Sequence, residues 1–173
     1  MAAAPPALAT APRARLGIVG GGQLGRMLAL AAHSLGIAST CLDAGGARSP
    51  AGQVTAAVEG ALSDAAALRA LAARSDVLTV EIEHVDVDAL EAAAAAAGIP
   101  VHPAPATLRL IQDKLAQKRF FAERGVAHGD FVGVASEAEL ASAIEVRLLR
   151  ARARARTAPA GGAPAAPRSR HAP

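Results

Sequence analysis

Two hydrophobic periods alternate along most of this chain. Leu16-Gly17-Ile18-Val19, Ile37–Leu42 and Val77-Leu78-Thr79-Val80 are short, nearly continuous apolar runs of the length of buried strands. Val54–Val58, Pro100–Pro103 and Phe131–Val134 predict three shorter strands. Between these runs the spacing changes to three and four. Leu24, Leu28, Ala31 and Leu35 predict a helix that opens at the glycines 20–22, buries that face and stops at Gly36. Ser63 is positioned to cap a helix over Asp64–Arg74, with acids early and Arg late to suit its dipole. A third helix starts at Asp86 or Val87 and runs through an alanine tract to Gly98. Pro105 to Arg124 is helical, in one piece or two, with Gly125 as its stop. Ser136 and Glu139 form a capping box for a last helix that ends near Ile144. Residues 44–52 carry Gly-Gly, Ser-Pro and Gly and read as a loop.

Strands alternating with helices at this spacing imply an α/β fold, with a parallel sheet covered by helices on both faces. Ligands of such sheets bind outside the carboxyl ends of the strands. The glycine turn and Glu81-Ile82-Glu83-His84 both fall at such ends. Gly20-x-Gly22-x-x-Gly25 follows the dinucleotide-binding order, in which backbone N–H groups and the helix dipole face a phosphate. Asp43 stands where a dinucleotide enzyme places its ribose-binding acid, although a strand-end turn residue is the simpler reading. Arg26 is balanced between a phosphate contact and a solvated first-turn charge. Glu81 closes a buried strand, where a carboxylate needs a partner. Glu83 would share its face if the strand continued, but no other feature of a glycosidase accompanies the pair.

Composition narrows the classes. Of the 173 residues 52% are hydrophobic, much of that alanine; Trp and Tyr are absent and Phe occurs three times, so aromatic stacking on nucleic acid has almost no material. The single Cys41 rules out a disulfide framework and reads as a buried structural thiol, and His33, His102 and His128 show no metal-ligand spacing. The net charge of +3 is misleading, because seven Arg and no acid lie from Arg147 onward. The preceding part holds 11 basic against 15 acidic residues. The basic stretch 146–173 reads as a low-complexity, disordered tail rather than a nucleic-acid arm, and residues 1–14 as a disordered leader. No apolar run approaches the roughly 20 residues of a membrane span. A cytoplasmic protein is expected, or a plastid one if the leader is a targeting remnant.

Four motifs in order carry a family resemblance: Gly-Gly-Gly-Gln-Leu-Gly-Arg-Met at 20–27, Thr-Val-Glu-Ile-Glu-His-Val at 79–85, His-Pro-Ala-Pro-Ala-Thr at 102–107 and Ile-Gln-Asp-Lys-Leu-Ala-Gln-Lys at 111–118. Over roughly residues 15–145 the chain resembles the N-terminal part of the N5-carboxyaminoimidazole ribonucleotide synthetases. These are ATP-grasp ligases, the ATPase component of phosphoribosylaminoimidazole carboxylase. The Glu-Ile-Glu-His wording resembles the eukaryotic branch, in which a carboxylase (mutase) domain follows. The resemblance implies a Rossmann-like pre-ATP-grasp domain over 15–105 and a truncated start of an ATP-grasp domain over 106–145. It also implies a purine-pathway reaction in which MgATP activates bicarbonate as carboxyphosphate and aminoimidazole ribonucleotide is carboxylated on its amine. ATP and Mg²⁺ are the implied cofactors. The small-molecule substrates are the implied partners, with no membrane or nucleic acid, and a homodimer is common in the family.

By the same resemblance Gly22, Gln23, Leu24 and Glu81 bind the ribonucleotide, and Lys114 reaches an ATP phosphate. Glu83, His84 and Lys118 are weaker candidates. The ATP-covering segment and the Mg²⁺ carboxylates of the family would follow residue 145, so the chain alone is expected not to turn over. Two other classes compete. One is an NAD(P)-dependent reductase fragment, built on the glycine order plus Asp43. The other is a non-catalytic binding module.

Overall fold

The computed structural model describes the backbone of residues 14–157 and the side chains of residues 14–149. Residues 1–13 of the expected leader (1–14) and 158–173 of the expected tail (146–173) lie outside the described residues. Contacts divide the chain into two compact units that meet between Val126 and Ala127.

The first unit is built on five parallel strands: β1 (Arg15–Val19), β2 (Ala38–Asp43), β3 (Ala56–Glu59), β4 (Val77–Val80) and β5 (Val101–His102). Their spatial order is β3-β2-β1-β4-β5. β1 is central, with Val19 in register with Leu42 on one side and Val80 on the other. The strands are short, so they rely on burial from both faces. Alternate residues supply the two cores: Ile18 and Cys41 point to one face, Val19 and Leu42 to the other.

Helix α1 (Gln23–Ser34) covers the Ile18 face. Helices α2 (Ala65–Ala72), α3 (Val87–Ala97) and α4 (Pro105–Gln112) contribute Leu68, Leu71, Leu90 and Leu108 to the larger core on the Val19 face. Doubly wound α/β architecture was legible in the sequence, and the helix ends follow its chemistry closely. Asp64, one residue after the expected cap, accepts from the Ala66 and Ala67 N–H groups at 2.8 and 3.3 Å. Asp86 accepts from Ala89 N–H at 3.0 Å, and Gly98 closes α3 at φ +68°. Asp113 breaks the expected long helix in two: it ends α4 and caps α5 (Lys114–Glu123) through Leu115 and Ala116, both at 2.9 Å.

The buried face of α1 is a correction. Leu24, Leu28 and Leu35 were expected to be buried, yet they are 58%, 39% and 76% exposed, and Ala31 is exposed with them. The buried stripe is Gly25, Ala29 and Ala32. Only small side chains let α1 lie this close to the sheet. A Cβ on Gly25 would sit 2.6 Å from the carbonyl oxygen of Gly20. Periodicity found the helix correctly, but size rather than hydrophobicity selected the inward face.

The second unit departs from expectation twice. Phe131–Val134 forms no strand among the described residues, since it joins no ladder of backbone hydrogen bonds there. Helix α6 (Glu137–Thr157) continues well past Ile144 and runs into the expected tail. Leu, Arg and Ala are strong helix formers, and their repeats carry the helix without amphipathicity. Its N-terminus does follow the sequence: Ser136 Oγ accepts from Glu139 N–H at 3.2 Å, and the Glu139 carboxylate accepts from Ala135 N–H at 2.7 Å. No described helix is long and apolar enough to cross a membrane.

Candidate functional site

β1 and β4 are neighbours, so the glycine turn that follows Val19 meets the segment that follows Val80. The register continues one residue further on each side, with Gly20 N–H donating to Leu42 O at 2.9 Å and Glu81 N–H to Val19 O at 3.0 Å. Glu81 therefore enters the turn side-on. Its Oε1 accepts from Gly22 N–H at 2.7 Å, and its Oε2 accepts from Gly25 N–H. Gly22 is the N-cap of α1 and has no side chain to cap with. A carboxylate from 59 residues away takes over that work and sits in the field of the helix N-terminus. Gly20, at φ +107°, passes so close to the Glu81 side chain that any Cβ there would collide with it. The glycine turn is thus wrapped around a protein carboxylate.

Two donors of the first helical turn remain. Among the described residues the backbone N–H groups of Gln23 and Leu24 have no acceptor, and both residues are exposed. The carboxylate of Glu81, half-buried, uses one lone pair on each oxygen and keeps the others.

The loop after β2 braces the other side of the turn. Asp43 accepts from Gly21 N–H at 3.1 Å and from Gly45 N–H at 2.7 Å. Gly21 O in turn accepts from Ala51 N–H at 2.9 Å, and an Arg26 guanidinium N–H donates to Pro50 O at 3.1 Å. Buried Ser49 fastens the loop to itself, donating to Gly46 O at 2.7 Å. Asp43 is therefore a strand-end brace, as the simpler sequence reading had it. Burial pushes the Cys41 thiol beneath this loop upward, opposed by a hydrogen bond from Ser49.

Past Glu81 the chain is tied to the α4–α5 junction. The Gln112 side chain donates to Glu83 O at 2.7 Å and to Val85 O at 2.9 Å. Lys114 Nζ donates to Ile111 O at 2.9 Å and stands 3.6 Å from Glu83 Oε1. The Glu83 carboxyl is held below its usual range, first by its own backbone N–H and then by the Lys114 charge. The structure thus brings Gly22 and Glu81 into direct contact and sets Lys114 against Glu83, two residues after Glu81. Gln112 was missed as a positioning residue. Its signal was its place beside Asp113-Lys114 in the fourth motif, but no periodicity says which backbone a glutamine will reach.

Among the described residues, no group of three or more His, Cys, Asp or Glu is arranged to hold a cation, and Lys114 is already engaged with Ile111 and Glu83.

Residues 13–112 match the model of the ribonucleotide synthetase preATP-grasp domain. The phosphoribosylaminoimidazole carboxylase of Ogataea methanolica is 46% identical over 126 residues, 71% of this chain and 23% of that protein. The N5-carboxyaminoimidazole ribonucleotide synthase of Brucella melitensis is 41% identical over 134 residues, 77% of this chain and 36% of that one. The crystal structure of the Aspergillus clavatus N5-carboxyaminoimidazole synthase, in complex with ADP and 5-aminoimidazole ribonucleotide, superimposes with a TM-score of 0.67 at 37% identity. That match covers 78% of this chain and 36% of the other. The chain spans between about a fifth and a third of the length of these relatives. Parallel sheet, glycine turn and matched residues together place it in the ribonucleotide synthetase pre-ATP-grasp family, among the ATP-grasp ligases.

Proposed function

We propose that this chain is the ribonucleotide-seating part of an ATP-dependent carboxylation of 5-aminoimidazole ribonucleotide with bicarbonate, and that it does not turn over alone. Residues 15–105 would seat the ribonucleotide, and the segment from Pro105 onward would begin the ATP-grasp part. The observation that carries the reading is the Glu81 carboxylate at the head of α1. A carboxylate held there has lone pairs left to accept from an exocyclic amine. The free N–H groups of Gln23 and Leu24 beside it suit a polar acceptor on the substrate. Gly22 keeps the turn low enough for a ligand to approach. Lys114 would supply one charge toward an ATP phosphate once released from Glu83, and the remaining ATP and Mg²⁺ ligands would come from outside the described residues.

The same observation argues against the nicotinamide reading. The pyrophosphate of a dinucleotide needs the turn N–H groups that Glu81 already occupies, and a carboxylate there repels it. Asp43, the acid such an enzyme would turn to a ribose, is spent on Gly21 and Gly45. Calorimetric titration tests both. Aminoimidazole ribonucleotide should bind saturably, NADH should not, and Glu81→Gln should weaken ribonucleotide binding. Saturable NADH binding, or ribonucleotide binding indifferent to Glu81→Gln, would sink the proposal. ATP hydrolysis by the chain alone, in response to aminoimidazole ribonucleotide and bicarbonate, would overturn the claim that it does not turn over.

A further inference from the structure

The ladder of β4 ends at Glu81, whose N–H donates to Val19 O at 3.0 Å. From Ile82 to Asp86 no further ladder bond holds the chain among the described residues. Glu83 and Val85 close a three-residue turn, with Val85 N–H donating to Glu83 O at 2.9 Å. Asp86 N–H reaches Leu62 O only at 3.4 Å. The turn begins two residues after Glu81, so whatever fixes the turn also fixes where the Glu81 carboxylate stands.

Gln112 is the last residue of α4 and an exposed one, so packing does not dictate where its side chain points. Its amide nitrogen nonetheless gives both hydrogens to the two ends of the turn, one to Glu83 O at 2.7 Å and one to Val85 O at 2.9 Å. Glu83 O then accepts twice, from Val85 within the turn and from Gln112 outside it. Lys114, at the head of α5, adds its charge 3.6 Å from Glu83 Oε1. We propose that Gln112 is a positioning residue for the seat at the glycine turn: by stapling the turn after β4 it sets the place of Glu81, and it thereby ties the seat to the junction from which α5 starts. Gln112 acts on Gly22 and Gly25 only through the Glu81 carboxylate that they donate to. The consequence for ribonucleotide affinity rests on the function proposed above, whereas the positioning itself does not.

Amide NMR of the full chain reads the positioning with no ligand present. The amide protons of Gly22 and Gly25 face the Glu81 carboxylate, and Glu81→Gln marks where their peaks go when its charge is withdrawn. Gln112→Met, of similar length but with no donor, should move both peaks in that direction. Gln112→Asn keeps the donors on a shorter arm and should move them as well, which provides a second variant should the first fail to fold. Arg109→Gln, which loosens the same helix from Asp88 and Glu91, should leave them in place. In Glu81→Gln the side-chain amide peaks of Gln112 should shift in turn, and they are readily assigned in a chain with four Gln and no Asn. By calorimetry Gln112→Met should weaken aminoimidazole ribonucleotide binding about threefold to tenfold, and Gln112→Glu, which sets a carboxylate against two carbonyls, should weaken it further. Gly22 and Gly25 peaks unmoved by the Gln112 variants overturn the inference, and so does an equal movement in Arg109→Gln. If the peaks move but the wild type binds no ribonucleotide, the positioning role stands and the function proposed above falls.

Discussion

Replacing Glu81 with alanine tests whether the glycine turn is built around this carboxylate. The side chain accepts two N–H groups of the α1 terminus, from Gly22 and Gly25. Hydrogen bonds to a charged group contribute about 1.5–3 kcal/mol each, and loss of a helix cap costs about 0.5–2 kcal/mol. Glu81 is half-buried, so water replaces part of what is lost. A net destabilisation of about 2–3 kcal/mol is expected for Glu81→Ala. Glu81→Gln keeps one acceptor but turns an amide N–H₂ toward a donor and removes the charge at the helix terminus, for about 1–2 kcal/mol. The chain has neither Trp nor Tyr, but its only thiol, Cys41, is fully buried in the sheet of the same unit. Thiol labelling of Cys41 against urea concentration therefore reports unfolding of that unit and of no other. Both variants should lower the midpoint at unchanged slope. A Glu81→Ala midpoint equivalent to less than about 0.5 kcal/mol would refute the reasoning, since surface carboxylates without structural duties behave that way.

Gly25→Ala should cost about 2–3 kcal/mol in the same assay, because its Cβ would lie 2.6 Å from backbone Gly20 O and 3.0 Å from Glu81 Oε2. A neutral or stabilising result would mean that α1 does not ride this low on the sheet. The Asp76 carboxyl is held below its usual range by hydrogen bonds from the Arg15 side chain and its backbone N–H, which also join β1 to the start of β4. A depressed folded-state pKa contributes stability that is present above the unfolded value near 3.9 and lost as pH falls below it. Asp76→Asn should therefore flatten the acid limb of the stability curve below about pH 4. An acid limb identical to the wild type would place the sensitivity elsewhere.

Much of the fold could be read from residue order. The strands Leu16–Val19 and Val77–Val80, the glycine stops at Gly98 and Gly125 and the Asp86 start of α3 are local decisions. Each is set by turn chemistry, capping or a short apolar run, and each stands where its own neighbours put it. The candidate site was legible in outline for the same reason: Gly22, Gln23, Leu24 and Glu81 lie at strand ends, and parallel topology gathers strand ends on one edge.

What the sequence could not supply was partnership. Leu24 and Ala29 are both apolar residues of one helix, and only the distance from α1 to the sheet decides that alanine goes inward while leucine stays out. Phe131–Val134 has the composition of a strand, but a strand exists only where a second backbone completes its hydrogen bonds. Glu81 announced itself as an acid at the end of a buried run. That its two oxygens grip Gly22 and Gly25 across 59 and 56 residues depends on β1 and β4 lying side by side. Local chemistry along the chain determined the elements and the strand ends at which the glycine turn and Glu81 stand. Tertiary packing alone decided which face of α1 is hidden and which acceptor fills the glycine turn, because both depend on separations between groups far apart in sequence.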